Sequence, residues 1–162
     1  MSQDFYLGNP NLKKVGTEIQ FTKEQIQEYL RCKEDPVYFA MNYIKIISLD
    51  EGIVPFKMWD FQQELIESFH ENRFNIAKLP RQTGKSTTCV SYLLHYILFN
   101  DNVNVGILAN KLSTARDLLG RLQLAYEQLP LWLQQGIVVY NKGSMELENG
   151  SKILAASTSA SA

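Results

Sequence analysis

Apolar residues at helical spacing mark the longest predicted element, which lies in the second half of the chain. After Ser113, a suitable N-cap, positions i, i+3, i+4 and i+7 stay apolar as far as Pro130, which cannot continue a helix. This face consists of Ala115, Leu118, Leu119, Leu122, Ala125, Tyr126 and Leu129. The pattern predicts an amphipathic helix with one side on a core.

Three helices are predicted before residue 72. Thr22 and Gln25 have the spacing of a capping box, and Asp35-Pro36 combines an N-cap with proline at the first helical position. The third is predicted over Phe61–Glu71. The apolar face of the first helix consists of Ile26, Tyr29 and Leu30. We expect the first two helices to cover the main sheet.

Short apolar runs bounded by turn residues predict the strands. The predicted strands are Phe74–Ala77, Val103–Ala109, Ile137–Tyr140 and a hairpin of Ser144–Leu147 with Lys152–Ala155 around Asn149-Gly150. Residues 46–54 are predicted to be a connection. Strands alternate with helices, which predicts an α/β fold with a mainly parallel sheet flanked by helices. In such a fold a ligand lies at the carboxyl ends of the strands.

The stretch Lys78–Thr87 joins the first predicted strand to an apolar helix that runs to Phe99, and it contains Gly84-Lys85-Ser86. Strand, tight loop and helix in this order are the setting of a phosphate-binding P-loop. The start of a helix has unpaired N–H groups and partial positive charge, so it attracts phosphate. Lys85 would contact the phosphates and the hydroxyl of Ser86 would coordinate Mg²⁺.

Two features do not fit a complete P-loop ATPase. The usual pattern has a glycine where this chain has Leu79, and the alternative reading of Lys85 is a solvated surface lysine. Hydrolysis also needs a carboxylate at the end of a later strand, but the predicted strands are followed by Asn110 and Asn141. Glu146 and Glu148 are expected to be surface residues.

Gln62 stands at the start of the third predicted helix. It can be read as an ordinary polar helix residue. The alternative is recognition of adenine, because an amide can donate to N7 and accept from the exocyclic amine.

Composition sets broad limits. The chain has 162 residues and a formal net charge of −1, which suits one domain and gives no overall basic field for nucleic acid. We divide it into a polar arm over residues 1–20 and a domain over residues 21–162. Cys32 and Cys89 fit no metal spacing and favour a reducing cytosol, with Cys89 expected in the core. No apolar run is long enough for a membrane span.

Several segments resemble one family. Pro80–Thr87 looks like the variant P-loop of the large terminase subunit of T-even-like tailed bacteriophages. Further similar segments are Asp60–Gln62, Gly106–Lys111, Trp132–Val138, Asn141–Leu147 and Asn149–Ser151. The likeness runs in order from about Tyr6 to Ala162.

The resemblance implies a motor that uses ATP and Mg²⁺ to pump double-stranded phage DNA into a procapsid. Lys85 would then hold the phosphates, Ser86 the metal and Gln62 the adenine, while Arg81 would act as an arginine finger in cis. Without the resemblance, Arg81 could equally be a surface arginine. The implied nucleotide-binding set is Gln62, Arg81, Gln82, Thr83, Gly84, Lys85, Ser86 and Thr87. The implied partners are the portal protein, the procapsid and the small terminase subunit, in the host cytoplasm and at the portal vertex.

The likeness covers only the first part of such a protein. The strand ending in Asp-Glu and the C-terminal nuclease have no counterpart, so we expect an incomplete ATPase domain, little or no hydrolysis, and possible complementation by a downstream fragment. Such a chain could be a partial sequence, a deliberately shortened protein or the first half of an interrupted gene. Two other functions stay open, namely a helicase-like ATPase on nucleic acid and a fragment that binds nucleotide without hydrolysing it.

Overall fold

The computed structural model describes residues 5–48 and 50–158. A short 3₁₀ helix, Tyr6–Gly8, lies in the N-terminal arm. The helices are α1 Lys23–Glu34, α2 Pro36–Tyr43, α3 Asp60–Glu71, α4 Lys85–Phe99 and α5 Leu112–Glu127. The strands are β1 Lys45–Ser48, β2 Gly52–Pro55, β3 Asn104–Ala109, β4 Ile137–Tyr140, β5 Ser144–Leu147 and β6 Lys152–Ser157.

The main sheet has the strand order β3-β6-β5-β4. β3 and β6 are parallel, whereas β6 with β5 and β5 with β4 are antiparallel. The chain is therefore α/β as predicted, but the prediction of a mainly parallel sheet is wrong. The physical reason is local: the chain reverses through Gly150, which has φ +78°, and so β5 and β6 form an antiparallel hairpin.

The predicted buried strand Phe74–Ala77 is also wrong. These residues belong to no strand, and the side chains of Phe74 and Ile76 are 82% and 99% exposed. No described strand pairs with this segment, and a strand needs a neighbour to satisfy its N–H and C=O groups. An apolar sequence favours a strand, but the strand forms only where a neighbouring strand is available to pair with it.

The helices form layers on one side of the sheet. α5 packs on β3 and β6, α4 packs on α5, and α2 and α3 pack on α4. The N-terminal helices thus cover other helices, which corrects the expectation that they cover the sheet.

The capping box predicted at the start of α1 is confirmed, since Gln25 N–H donates to Thr22 Oγ1 at 3.2 Å and Thr22 N–H donates to Gln25 Oε1 at 3.0 Å.

Two further expectations differ from the structure. Ile26 and Leu30 of α1 are about half exposed, because α1 contacts its neighbours mainly through another face, where Cys32 is buried. α5 begins at Leu112 after Lys111, so Ser113 lies inside the helix and does not cap it. The apolar face of α5 is confirmed in Ala115, Leu119, Leu122, Ala125 and Tyr126, which are all buried.

The predicted connection over residues 46–54 is a small antiparallel hairpin in which β1 pairs with β2. Gly52 has φ +75° where the second strand begins. Leu49 lies outside the described residues.

The C-terminal end of α4 is held by the turn of the β5–β6 hairpin. The amide of Asn149 donates to the carbonyls of Ile97 at 2.9 Å and Asn100 at 3.1 Å, and the hydroxyl of Ser151 also donates to Asn100. These bonds satisfy carbonyls that the end of a helix leaves without partners. They tie the C-terminal end of α4 to the turn between β5 and β6.

Candidate phosphate-binding site

The loop before α4 has the backbone of an anion site. Gly84 is the N-cap residue of α4 with φ +73°, and Gln82 is also left-handed with φ +63°. A left-handed residue beside right-handed ones turns successive N–H groups towards one side, which forms a concave site for anions. A non-glycine residue in this conformation is uncommon and is a reason to suspect function.

The N–H groups at the start of α4 add to this site. The first helical bond runs from Thr88 N–H to the carbonyl of Gly84 at 3.0 Å. The N–H groups of Lys85, Ser86 and Thr87 therefore precede the helical ladder. Together with the dipole of a 15-residue helix, they favour a negatively charged ligand.

Lys85 is folded across the loop. Its Nζ donates to the carbonyl of Pro80, which also accepts the hydroxyl of Thr83 at 3.1 Å. The carbonyl of Pro80 therefore connects the start of the loop to Thr83 and Lys85. A phosphate would offer the ammonium a charged acceptor in place of a neutral one, and hydrogen bonds between charged groups are about twice as strong.

Two other predicted residues lie at this loop with their side chains free for a ligand. The side chain of Arg81 is exposed and forms no ion pair with any described residue. Ser86 is exposed at the second position of α4.

The structure brings Gln62 to the loop. It is the third residue of α3 and only 5% exposed. Its Nε2 donates to the carbonyl of Thr83 at 3.2 Å, and its Oε1 accepts the N–H of Trp59 at 3.0 Å. One hydrogen of Nε2 and one lone pair of Oε1 are not used by these bonds. Adenine recognition stays a prediction.

A cavity of about 280 Å³ lies behind the loop. It is bounded by Ala77 on one side, Ile107 of β3 on the other, and Leu65, Cys89 and Leu118 from three helices. Cys89 is only partly buried and is not in the core, which corrects the expectation from the sequence, and burial raises its pKa. Lys85 and Ser86 of the loop also line this cavity.

The acidic residues expected on the surface are placed differently. Glu148 is half-buried and accepts from Lys13 Nζ at 3.2 Å and from the N–H groups of Gly16 and Gly136 at 3.1 and 2.6 Å. Burial raises its pKa, but these three donors outweigh burial and lower it overall. Glu148 is thus an anchor for the N-terminal arm, which corrects the expectation of a surface residue.

Sequence reasoning missed the residues that hold the site in place. Asn149 and Ser151 were visible only as a turn signal, and nothing in the sequence tied them to the end of α4. The role of the Pro80 carbonyl was equally hidden, because a main-chain group has no sequence signature. Within residues 5–48 and 50–158, no group of three metal-binding side chains is found.

Comparison with known proteins adds no family. No protein-family model matches the chain. Among the helices of the described residues, none is long and apolar enough to cross a bilayer.

Proposed function

We propose that this chain is the N-terminal ATPase portion of a viral DNA-packaging terminase large subunit, which binds ATP with Mg²⁺ to power genome translocation. The observation that carries the proposal is the loop of Gln82–Thr87. It combines two left-handed residues, the unpaired N–H groups of a long helix and a lysine held only by a neutral carbonyl. These are the features that bind a polyphosphate.

Each residue has a distinct part in this proposal. Lys85 leaves Pro80 to hold the β- and γ-phosphates, and the hydroxyl of Ser86 coordinates Mg²⁺. Arg81, which forms no ion pair with any described residue, neutralises charge on the γ-phosphate. Gln62 contacts the loop, and the hydrogen of Nε2 and the lone pair of Oε1 that its two bonds leave unused would bind the adenine.

The proposed fold is a P-loop NTPase core whose sheet is completed by another polypeptide segment. The outer edge of β3 is unpaired among the described strands, Leu108 on it is 65% exposed, and Ile76 in the segment before the loop is 99% exposed. A strand supplied by a downstream fragment would cover these apolar side chains and pair with β3. The other proposed partners are double-stranded DNA, the portal protein, the procapsid and the small terminase subunit, at the portal vertex in the host cytoplasm.

A second candidate function is nucleotide binding without hydrolysis. It is favoured by the strand ends, since β3 is followed by Asn110 and β4 by Asn141 rather than by a carboxylate. Hydrolysis needs a group of that kind for the metal and the attacking water. The two functions differ only in turnover.

Isothermal titration calorimetry of ATP with Mg²⁺ tests nucleotide binding, which both candidate functions require. Wild type is expected to bind, and Lys85→Ala is expected to lose about 100-fold or more in affinity, because a charge-assisted contact to phosphate is lost. The control is Lys23→Ala, since Lys23 is exposed at the start of α1, away from the loop. Equal binding by Lys85→Ala and wild type contradicts the proposal.

Turnover separates the two candidates and the helicase-like alternative. The pure chain is expected to hydrolyse little ATP, and the downstream fragment with portal and procapsid is expected to restore steady hydrolysis. Binding without turnover after that addition supports the non-hydrolysing fragment. Stimulation by single-stranded nucleic acid alone supports a helicase-like ATPase.

A further inference from the structure

The carboxamide of Gln62 joins two elements that are far apart in the sequence. Its oxygen accepts the N–H of Trp59 and closes the start of α3, while its nitrogen donates to Thr83 in the loop. The residue is 5% exposed, so water cannot easily replace either bond. A side chain that only recognised a base would not need a bond to the loop.

The loop also packs directly on this amide. A Cβ added to Gly84 would lie 2.4 Å from Nε2 of Gln62, which is closer than non-bonded atoms approach. Gly84 is therefore required for two reasons, the left-handed φ of +73° and the contact with Gln62. The side chain of Gln62 thus packs against Gly84, the N-cap residue of α4.

The bond to Thr83 fixes the direction of one peptide unit. In a trans peptide the C=O and the following N–H point in opposite directions. When Gln62 holds the carbonyl of Thr83, the N–H of Gly84 must point away from Gln62. A rotated peptide would turn a carbonyl oxygen, which repels anions, towards that side instead.

We propose that Gln62 is a positioning residue for the phosphate-binding loop, through its bond to Thr83 and its contact with Gly84. The inference rests on the proposed binding of a triphosphate and adds a role that does not depend on the base. Gln62 aims the N–H of Gly84 at the phosphates, and it does so for any polyphosphate.

Inorganic tripolyphosphate distinguishes this role from adenine recognition, because it has the phosphates and no base. The test measures the affinities of ATP and tripolyphosphate, each with Mg²⁺, for wild type and Gln62→Met. Methionine keeps the length of the side chain and removes both hydrogen bonds. We expect both affinities to fall by about tenfold or more, since a buried carbonyl and N–H lose their partners.

Gln63→Met is the matched control, because Gln63 is the neighbouring residue and its side chain has no hydrogen bond among the described residues. It is expected to leave both affinities unchanged. A loss for ATP alone in Gln62→Met, with normal binding of tripolyphosphate, overturns the inference and leaves the adenine contact. Absence of tripolyphosphate binding in wild type instead overturns the proposed function itself.

A double-mutant cycle tests the contact between Gln62 and Gly84 directly. In Gly84→Ala the new Cβ meets the amide of Gln62, and in the double variant with Gln62→Ala that clash is relieved. We expect the combined loss of tripolyphosphate affinity to be smaller than the product of the two single losses, as for residues in contact. Independent effects of the two changes would overturn the inference.

Discussion

The carboxylate of Glu148 accepts the main-chain N–H of Gly136 at 2.6 Å. The same carboxylate holds Gly16 and Lys13, so one side chain ties the N-terminal arm to the sheet. Glu148→Gln is expected to lower the free energy of unfolding by about 2 kcal/mol, because hydrogen bonds to a charged group are lost. Urea unfolding measures it, with Glu146→Gln as the control, since the side chain of Glu146 makes no hydrogen bond to residues 5–20 of the arm.

The carboxylate of Glu148 also makes the free energy of unfolding depend on pH in the acid range. Its pKa is lowered in the folded chain, so its contribution is complete above the ordinary value of 4.5 and is lost as the pH falls below that value. Urea midpoints of wild type and Glu148→Gln are expected to converge below pH 4.5. An unchanged difference down to pH 3 would contradict the role of the carboxylate.

His95 gives a second pH dependence in a different range. It is 2% exposed, its Nε2 donates to the carbonyl of Cys32 at 2.9 Å, and its Nδ1 has no partner among the described residues. Burial lowers its pKa from 6.5 to about 4. The unfolded chain therefore binds a proton first, and stability is expected to fall by about 3 kcal/mol as the pH drops from 6.5 to 4.

His95→Phe is expected to remove most of this loss while costing about 1 kcal/mol at pH 7.5, since the carbonyl of Cys32 loses its donor. Thermal unfolding from pH 7.5 to 4 measures both effects. His70→Gln is expected to keep most of the pH dependence, because burial is the main cause of the lowered pKa of His95 and the neighbouring His70 is a smaller one. If the stability of His95→Phe fell with pH as steeply as that of wild type, another group would be responsible for the pH dependence.

The cap at the end of α4 predicts a cost for Asn149→Ala. The carbonyls of Ile97 and Asn100 lose the amide donor, and the free energy of unfolding is expected to fall by about 1–3 kcal/mol. Asn104→Ala is the comparison, since Asn104 is exposed and its side chain makes no hydrogen bond with any described residue. Equal stability of the two variants would mean that the cap contributes little.

The exposed segment before the loop predicts association. Ile76 is 99% exposed, so Ile76→Glu removes no contact within the chain. The variant is expected to keep the unfolding midpoint of wild type and to self-associate less, because an exposed apolar patch promotes association between chains. Sedimentation at several concentrations measures this. A fall in stability would instead show that the segment packs within the chain.

Elements with local causes were predictable from the sequence. Thr22 with Gln25 and Asp35 with Pro36 begin helices through bonds that span three residues, and Asn149-Gly150 sets a hairpin by its turn. The pairing of β3 with β6 was not predicted, because it depends on residues that no short turn joins.

The candidate site shows the same division. The loop and the start of α4 followed from Gly84-Lys85-Ser86, whereas the bond between Gln62 and Thr83 joins residues 21 apart. The exposed state of Phe74 had no local signal either, since its sequence is apolar and only the missing neighbour decides its burial.

The central claim is that the loop before α4 binds the phosphates of ATP. A crystal structure with Mg²⁺ and a non-hydrolysable ATP analogue tests it most directly, through the position of Lys85. The account predicts that Nζ leaves the carbonyl of Pro80 and lies about 3 Å from a phosphate oxygen, with Arg81 turned to the γ-phosphate. An empty loop in which Lys85 still donates to Pro80 would contradict it.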